Sequence, residues 1–125
     1  MTPGTNQQGD TVEGKGLFIW QLTELVSLLN LTRERNKEVV ISILETEAQK
    51  LVELGINYIL LKVADGTYSY NTAMIGGVAL SKDWIPTVID VMSAHGIDTW
   101  GWHFVYNKWP KAEALQSNKA MDLYN

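Results

Sequence analysis

The stretch Ile56 to Thr67, INYILLKVADGT, narrows the folds open to this chain more than any other. From Tyr58 its apolar residues do not alternate with polar ones but run on to Ala64 with only Lys62 between them. A strand of that kind, here Asn57 to Ala64, is buried on both faces, as in a parallel sheet covered by helices. Asp65-Gly66 then supplies a turn, so the run stops sharply at a polar rim.

Two further segments repeat the pattern. Gly16 to Leu22, GLFIWQL, is a continuous apolar run of strand length, expected to be buried on both faces, and Asp98 to Tyr106, DTWGWHFVY, is a third strand. Gly101 within it marks a close approach by another group. Between the strands lie helical patterns. From Lys37, Ile41, Leu44, Ala48, Leu51 and Val52 return to one face until Gly55 ends the helix in a left-handed position. Asp83 caps a second helix with Pro86 in its first turn and the stripe Ile85, Val88, Ile89 and Met92, stopped by Gly96. Pro110 opens a third, with Glu113 in its first turn, reaching about Tyr124. Two segments are less determinate. Thr23 to Asn36 fits a short helix or a folded loop, with Thr32 or Asn36 available to cap the helix that begins at Lys37. Asp65 to Lys82, with Gly76-Gly77, is long for a connection.

The order β-α-β-α-β-α predicts an α/β domain with parallel strands and right-handed crossovers. The 125 residues allow one domain. Residues 1–15, rich in Gly, Thr and Gln, read as a disordered leader, and 16–125 as the folded unit. A net charge of -4 with scattered Lys and Arg argues against nucleic-acid binding. With no Cys there is no disulfide, thiolate nucleophile or thiolate zinc site. Two histidines, His95 and His103, are too few for a multi-histidine metal site, and no strand is followed by a phosphate-binding glycine loop. No cofactor is indicated. The sequence has no apolar run of membrane-spanning length and no signal-peptide pattern, which makes the cytosol the default expectation.

Taken together, GLFIWQL (16–22), LLKVADGTYSYN (60–71) and GIDTWGWHFVYNKWPKAEA (96–114) resemble the first part of a bacterial glycoside-hydrolase-like (β/α)8-barrel family. They are more distantly similar to the family 25 lysozymes, whose second strand carries a similar K-A-x-x-G-T and whose third ends in a similar Y-H-F. The resemblance implies a partial TIM-type barrel of about three βα units, set against the eight strands and about 250 residues of a complete one. It also implies glycan as the ligand. Two departures limit what it carries over: the first strand lacks the expected aspartate, and the catalytic Asp-x-Glu belongs to a fourth strand beyond the three read here.

In a barrel, the strand C-termini and the adjoining loops carry the chemistry. That rule selects Trp20, Gln21, Lys62, Asp65 and Tyr106 at strand ends, with Tyr68, Tyr70 and Trp109 in adjoining loops. Asp65 is the candidate general acid/base or ligand to sugar hydroxyls; the plainer reading is that Asp-Gly only makes the turn. Lys62 is either a lumen lysine paired with a carboxylate from a neighbouring strand or a lysine snorkelling at an edge. His103 is a sugar hydrogen-bond partner, a proton shuttle or a satisfied core histidine. The aromatic residues suit a carbohydrate groove and equally suit rim packing. Trp100 and Trp102 share a face of the third strand and are assigned to packing. Glu24, just past the first strand, is the carboxylate expected nearest Asp65.

Two functions are expected. The first is a glycoside-hydrolase-like domain that binds glycan, or hydrolyses it with an incomplete catalytic set. The second is a non-catalytic partial barrel whose edge strands pair with another copy or a partner chain.

Overall fold

The computed structural model describes residues 14–32, 37–66, 68–69, 82–106 and 109–124. The chain is an α/β fold, with strand β1 (Lys15–Ile19), a 3-10 turn at Leu22–Glu24, the one-turn helix α1 (Leu28–Leu31), α2 (Lys37–Glu53), β2 (Ile56–Asp65), β3 (Tyr68–Ser69), α3 (Ile85–Ala94), β4 (Asp98–Phe104) and α4 (Pro110–Tyr124). The long strands β1, β2 and β4 are parallel, with β2 between the other two. Consecutive βα units thus lie side by side in one sheet, as in part of a barrel, and among the described residues the sheet is open. The expected leader boundary moves by one residue, because Lys15 already belongs to β1.

The two-residue strand β3 is an addition to the three strands expected. It folds back antiparallel on the end of β2, with Ala64 opposite Ser69 and Asp65 opposite Tyr68. Since β4 occupies the other edge of Ala64 and Asp65, β3 continues the edge on which β1 ends at Ile19. Residues 67 and 70–81 of the Asp65 to Lys82 connection, Tyr70 and Gly76-Gly77 among them, lie outside the described residues, as does Asn36.

One core lies between the sheet and the helices. Alternation along β1 and β2 sends Ile19, Ile59, Leu61 and Val63 into it, against Val40, Leu44, Ala48 and Leu51 of α2 and Ile85, Val88, Val91 and Met92 of α3. The spacing of these helical positions is the 3–4 residue return of an amphipathic helix. On α2 the buried stripe starts at Val40 rather than Ile41, and Val52 falls outside it. Gly55 and Gly96 end α2 and α3 with φ of 76° and 75°. The N-cap of α3 is Trp84, one residue after the expected Asp83, whose Oδ1 accepts the Ile85 N–H at 3.0 Å. Up to Thr32, the ambiguous segment after β1 is a folded loop with one turn of helix, and the Thr32 hydroxyl donates back to Leu29 O at 3.0 Å. Trp84, fully buried, donates Nε1–H to Leu31 O at 2.8 Å and ties this loop to the start of α3.

The expectation that Gly16 to Leu22 is buried on both faces is corrected. The strand ends at Ile19, which alone in β1 is buried, while Phe18 is 50% exposed and the following Trp20 43%. These apolar side chains belong to a second face of the sheet, opposite the helical core.

Candidate functional site

That second face gathers aromatic rings because they recur at every second residue on β1 and β4, the two strands that flank β2. Phe18 and Trp20 come from β1 and its exit; Trp102, Phe104 and Tyr106 come from β4 and its exit. Phe18 and Trp102 have ring centroids 4.6 Å apart, Trp20 and Trp102 5.1 Å, Trp20 and Phe104 5.6 Å, and Phe104 and Tyr106 4.8 Å. All are tilted or edge-on, the arrangements that ring quadrupoles favour. Trp102 also donates Nε1–H to Ile19 O at 3.0 Å, fastening the rim of β4 to the end of β1 across β2. The sequence assigns Trp102 to packing, yet it sits in the middle of this cluster. At the foot of the face, Tyr58 lies across Gly16, where any Cβ would fall inside the tyrosine ring.

Lys62 stands among these rings. It is 2% exposed, with Nζ 4.6 Å from the centroid of Trp20, 5.5 Å from Trp102 and 5.6 Å from Phe104. Ring faces attract a cation at these distances. The ammonium also makes an ion pair and hydrogen bond with Asp65 Oδ2. Neither sequence reading of Lys62 survives intact, since the lysine is not at an edge and its carboxylate comes from the same strand. A register irregularity explains the pairing. Lys62 is opposite Trp102, but Ala64 is opposite His103 and Asp65 opposite Phe104, so β2 carries one extra residue at Val63. The extra residue resets the alternation. Asp65 therefore emerges on the face of Lys62 instead of the opposite one.

The turn after β2 is bolted to β4. Gly66 N–H donates to Phe104 O at 2.7 Å, and His103 Nε2 lies 2.7 Å from Gly66 O. A carbonyl only accepts, so Nε2 carries the proton. His103 is thus occupied in holding the turn, on the face of β4 opposite the aromatic rings. Gly66 has φ of 58°, and a Cβ there would stand 2.9 Å from the Tyr106 ring.

The remaining candidates are dispersed. Gln21 heads the 3-10 turn, its carbonyl accepting Glu24 N–H at 3.0 Å. Tyr68 enters β3 opposite Asp65, and Tyr70 is outside the described residues. Trp109 stands exposed at the head of α4. Glu24 is exposed on its 3-10 turn. Another carboxylate, Glu113, stands beside Gly66; it is 2% exposed, and its Oε2 accepts the Tyr106 N–H at 2.7 Å. Its signal in the sequence is only that of a favourable first-turn acid.

The site is therefore an apolar, partly exposed ring surface with one internally neutralised ion pair at the carboxyl end of a parallel sheet. It can stack flat apolar faces and offer Asp65, whose side chain keeps 22% of its exposure, to hydroxyl donors. No protein-family model matches the chain, and no curated protein or solved structure matches it either. Among the described residues no helix is long and apolar enough to cross a membrane.

Proposed function

We propose that this domain binds glycan on the aromatic face, with Trp20 and Tyr106 as stacking rings and Asp65 as the hydroxyl acceptor. The observation that carries the reading is the exposure of Phe18, Trp20 and Tyr106 around the Lys62–Asp65 pair. Sugars present C–H faces flanked by hydroxyls, and a ring surface with a few fixed polar groups complements both. The resemblance of the three strand segments to glycoside-hydrolase-like barrels supports the same ligand class. Binding is favoured over hydrolysis. A glycosidase needs two carboxylates about 5 to 10 Å apart across the scissile bond, whereas Asp65 is ion-paired and Glu113 is buried against the Tyr106 backbone.

Titration with soluble chito-, cello- and xylo-oligosaccharides, monitored by tryptophan fluorescence, tests the reading. A saturable change that is lost in Trp20→Ala is expected; no change with any sugar overturns it. If hydrolysis is seen, an unaltered rate in Asp65→Asn removes that residue from the site.

The second reading is self-assembly or capture of a partner chain. It is favoured by the outer edges of β1 and β4, which have no partner strand among the described residues. Unpaired edges invite pairing. Size-exclusion chromatography with light scattering decides it, and a strict monomer that unfolds cooperatively rules out closure by a second copy.

A further inference from the structure

We infer that Glu113 is the positioning residue of the aromatic face: from the first turn of α4 its carboxylate fixes the Tyr106 backbone and so sets the ring at the outer end of the cluster. The functional half of this inference rests on the glycan reading above, and the physical half stands on geometry.

Pairing of β4 with β2 stops at Phe104, so the ladder does not hold Tyr106. What holds its backbone is Glu113 Oε2, which accepts the Tyr106 N–H at 2.7 Å. The same oxygen lies 3.8 Å from where a Cβ would stand on Gly66, and the Tyr106 ring covers that glycine. One carboxylate thereby ties α4 to the exit of β4, beside the turn after β2. Glutamate is almost never fully buried without compensation, and here Oε1 is buried with no hydrogen-bond partner. A side chain serving only to fill this space would be apolar. The buried acid is retained where a helix N-terminus favours negative charge and where its other oxygen meets a strand-end amide that has lost its ladder. Tyr106, 57% exposed and 4.8 Å from Phe104, is the ring carried by the backbone which that bond holds.

The test is amide hydrogen exchange at Tyr106 in the free protein, combined with oligosaccharide titration. Glu113→Leu removes the acceptor at similar size, and exchange at Tyr106 is expected to rise about tenfold or more while the Ile59 and Leu61 amides stay as in the wild type. Glu113→Gln keeps an acceptor oxygen and is expected to restore both Tyr106 protection and sugar affinity. Glu113→Leu should weaken sugar binding as much as Tyr106→Ala does. If the leucine variant does not fold, Glu113→Asp, with its acceptor drawn back by one methylene, must show the same rise at Tyr106. Unchanged exchange at Tyr106, or a rise shared equally by Ile59 and Leu61, overturns the positioning role. A wild-type protein that binds no sugar overturns the functional half alone, because the exchange result does not depend on ligand.

Discussion

Lys62 and Asp65 lie on the same face of β2 although they are three positions apart, and the extra residue at Val63 is what brings them together. In a regular strand, positions i and i+3 point to opposite sides. The ion pair is therefore a product of the register irregularity, and it gives a nearly inaccessible ammonium a partner without recruiting a neighbouring strand.

This arrangement predicts asymmetric losses. Asp65→Ala removes the ion-pair partner of a buried cation that lies among aromatic rings and is expected to cost about 2–3 kcal/mol, below the cost of breaking a fully buried pair because Asp65 is partly solvated. Lys62→Met, which replaces the cation by an apolar chain of similar length, should cost less. The double variant should recover part of the Asp65→Ala loss. Urea unfolding of all four proteins measures the coupling, and strict additivity would show that the two groups act independently.

Gly66 gives a second prediction. At φ of 58° an L-residue pays about 1–2 kcal/mol, and the Tyr106 ring 2.9 Å from the missing Cβ adds a steric term. Gly66→Ala should therefore destabilise by more than the backbone cost alone. Adding Tyr106→Ala should return the excess but not the backbone part. A Gly66→Ala protein as stable as the wild type would contradict the turn geometry.

The strands and long helices are legible in the sequence because continuous apolar runs and a 3–4 residue period are properties of the chain itself. The side of the sheet each residue faces is not. GLFIWQL reads as doubly buried because Leu17, Phe18 and Trp20 are apolar, yet the burial of Phe18 and Trp20 depends on what lies across the sheet, which hydropathy does not encode. Nothing in Lys62-Val63-Ala64 marks the extra residue, so the sequence points to a neighbouring strand for the partner of Lys62. Glu113 is inconspicuous because its role comes from a backbone amide seven residues away in a separate element. Asp83, Gly55, Gly96 and Pro110 are readable because caps and breakers act locally.

Within the aromatic cluster, structural and ligand-facing rings should separate by mutation. Trp102→Phe keeps a ring but loses the Nε1–H bond to Ile19 O and is expected to cost about 1 kcal/mol or slightly more. Trp20→Ala removes a ring that is 43% exposed. It should change stability less than the loss of a buried tryptophan would, but abolish the fluorescence response to sugar. Thermal unfolding alongside titration distinguishes them, and a Trp20→Ala protein that no longer folds would mean that the ring is core.

Trp84 is the contrasting case, a tryptophan buried in the helical core. Its ring is fully buried beside the equally buried Leu31, and its Nε1–H satisfies the Leu31 carbonyl at 2.8 Å. That carbonyl belongs to the last residue of the one-turn helix after β1, at a helix end where carbonyls need partners from outside the helix. Trp84→Phe leaves the carbonyl buried without this donor and opens a small void, so a loss of about 1–3 kcal/mol is expected. Trp84→Ala adds a large cavity, for about 3–5 kcal/mol in all. Because the bond joins residues 53 apart in the chain, the damage should spread. Amide exchange in the Phe variant should quicken in the segment from Leu22 to Leu31 and at the start of α3 together, and a rise confined to α3 would show that Trp84 does not hold the loop.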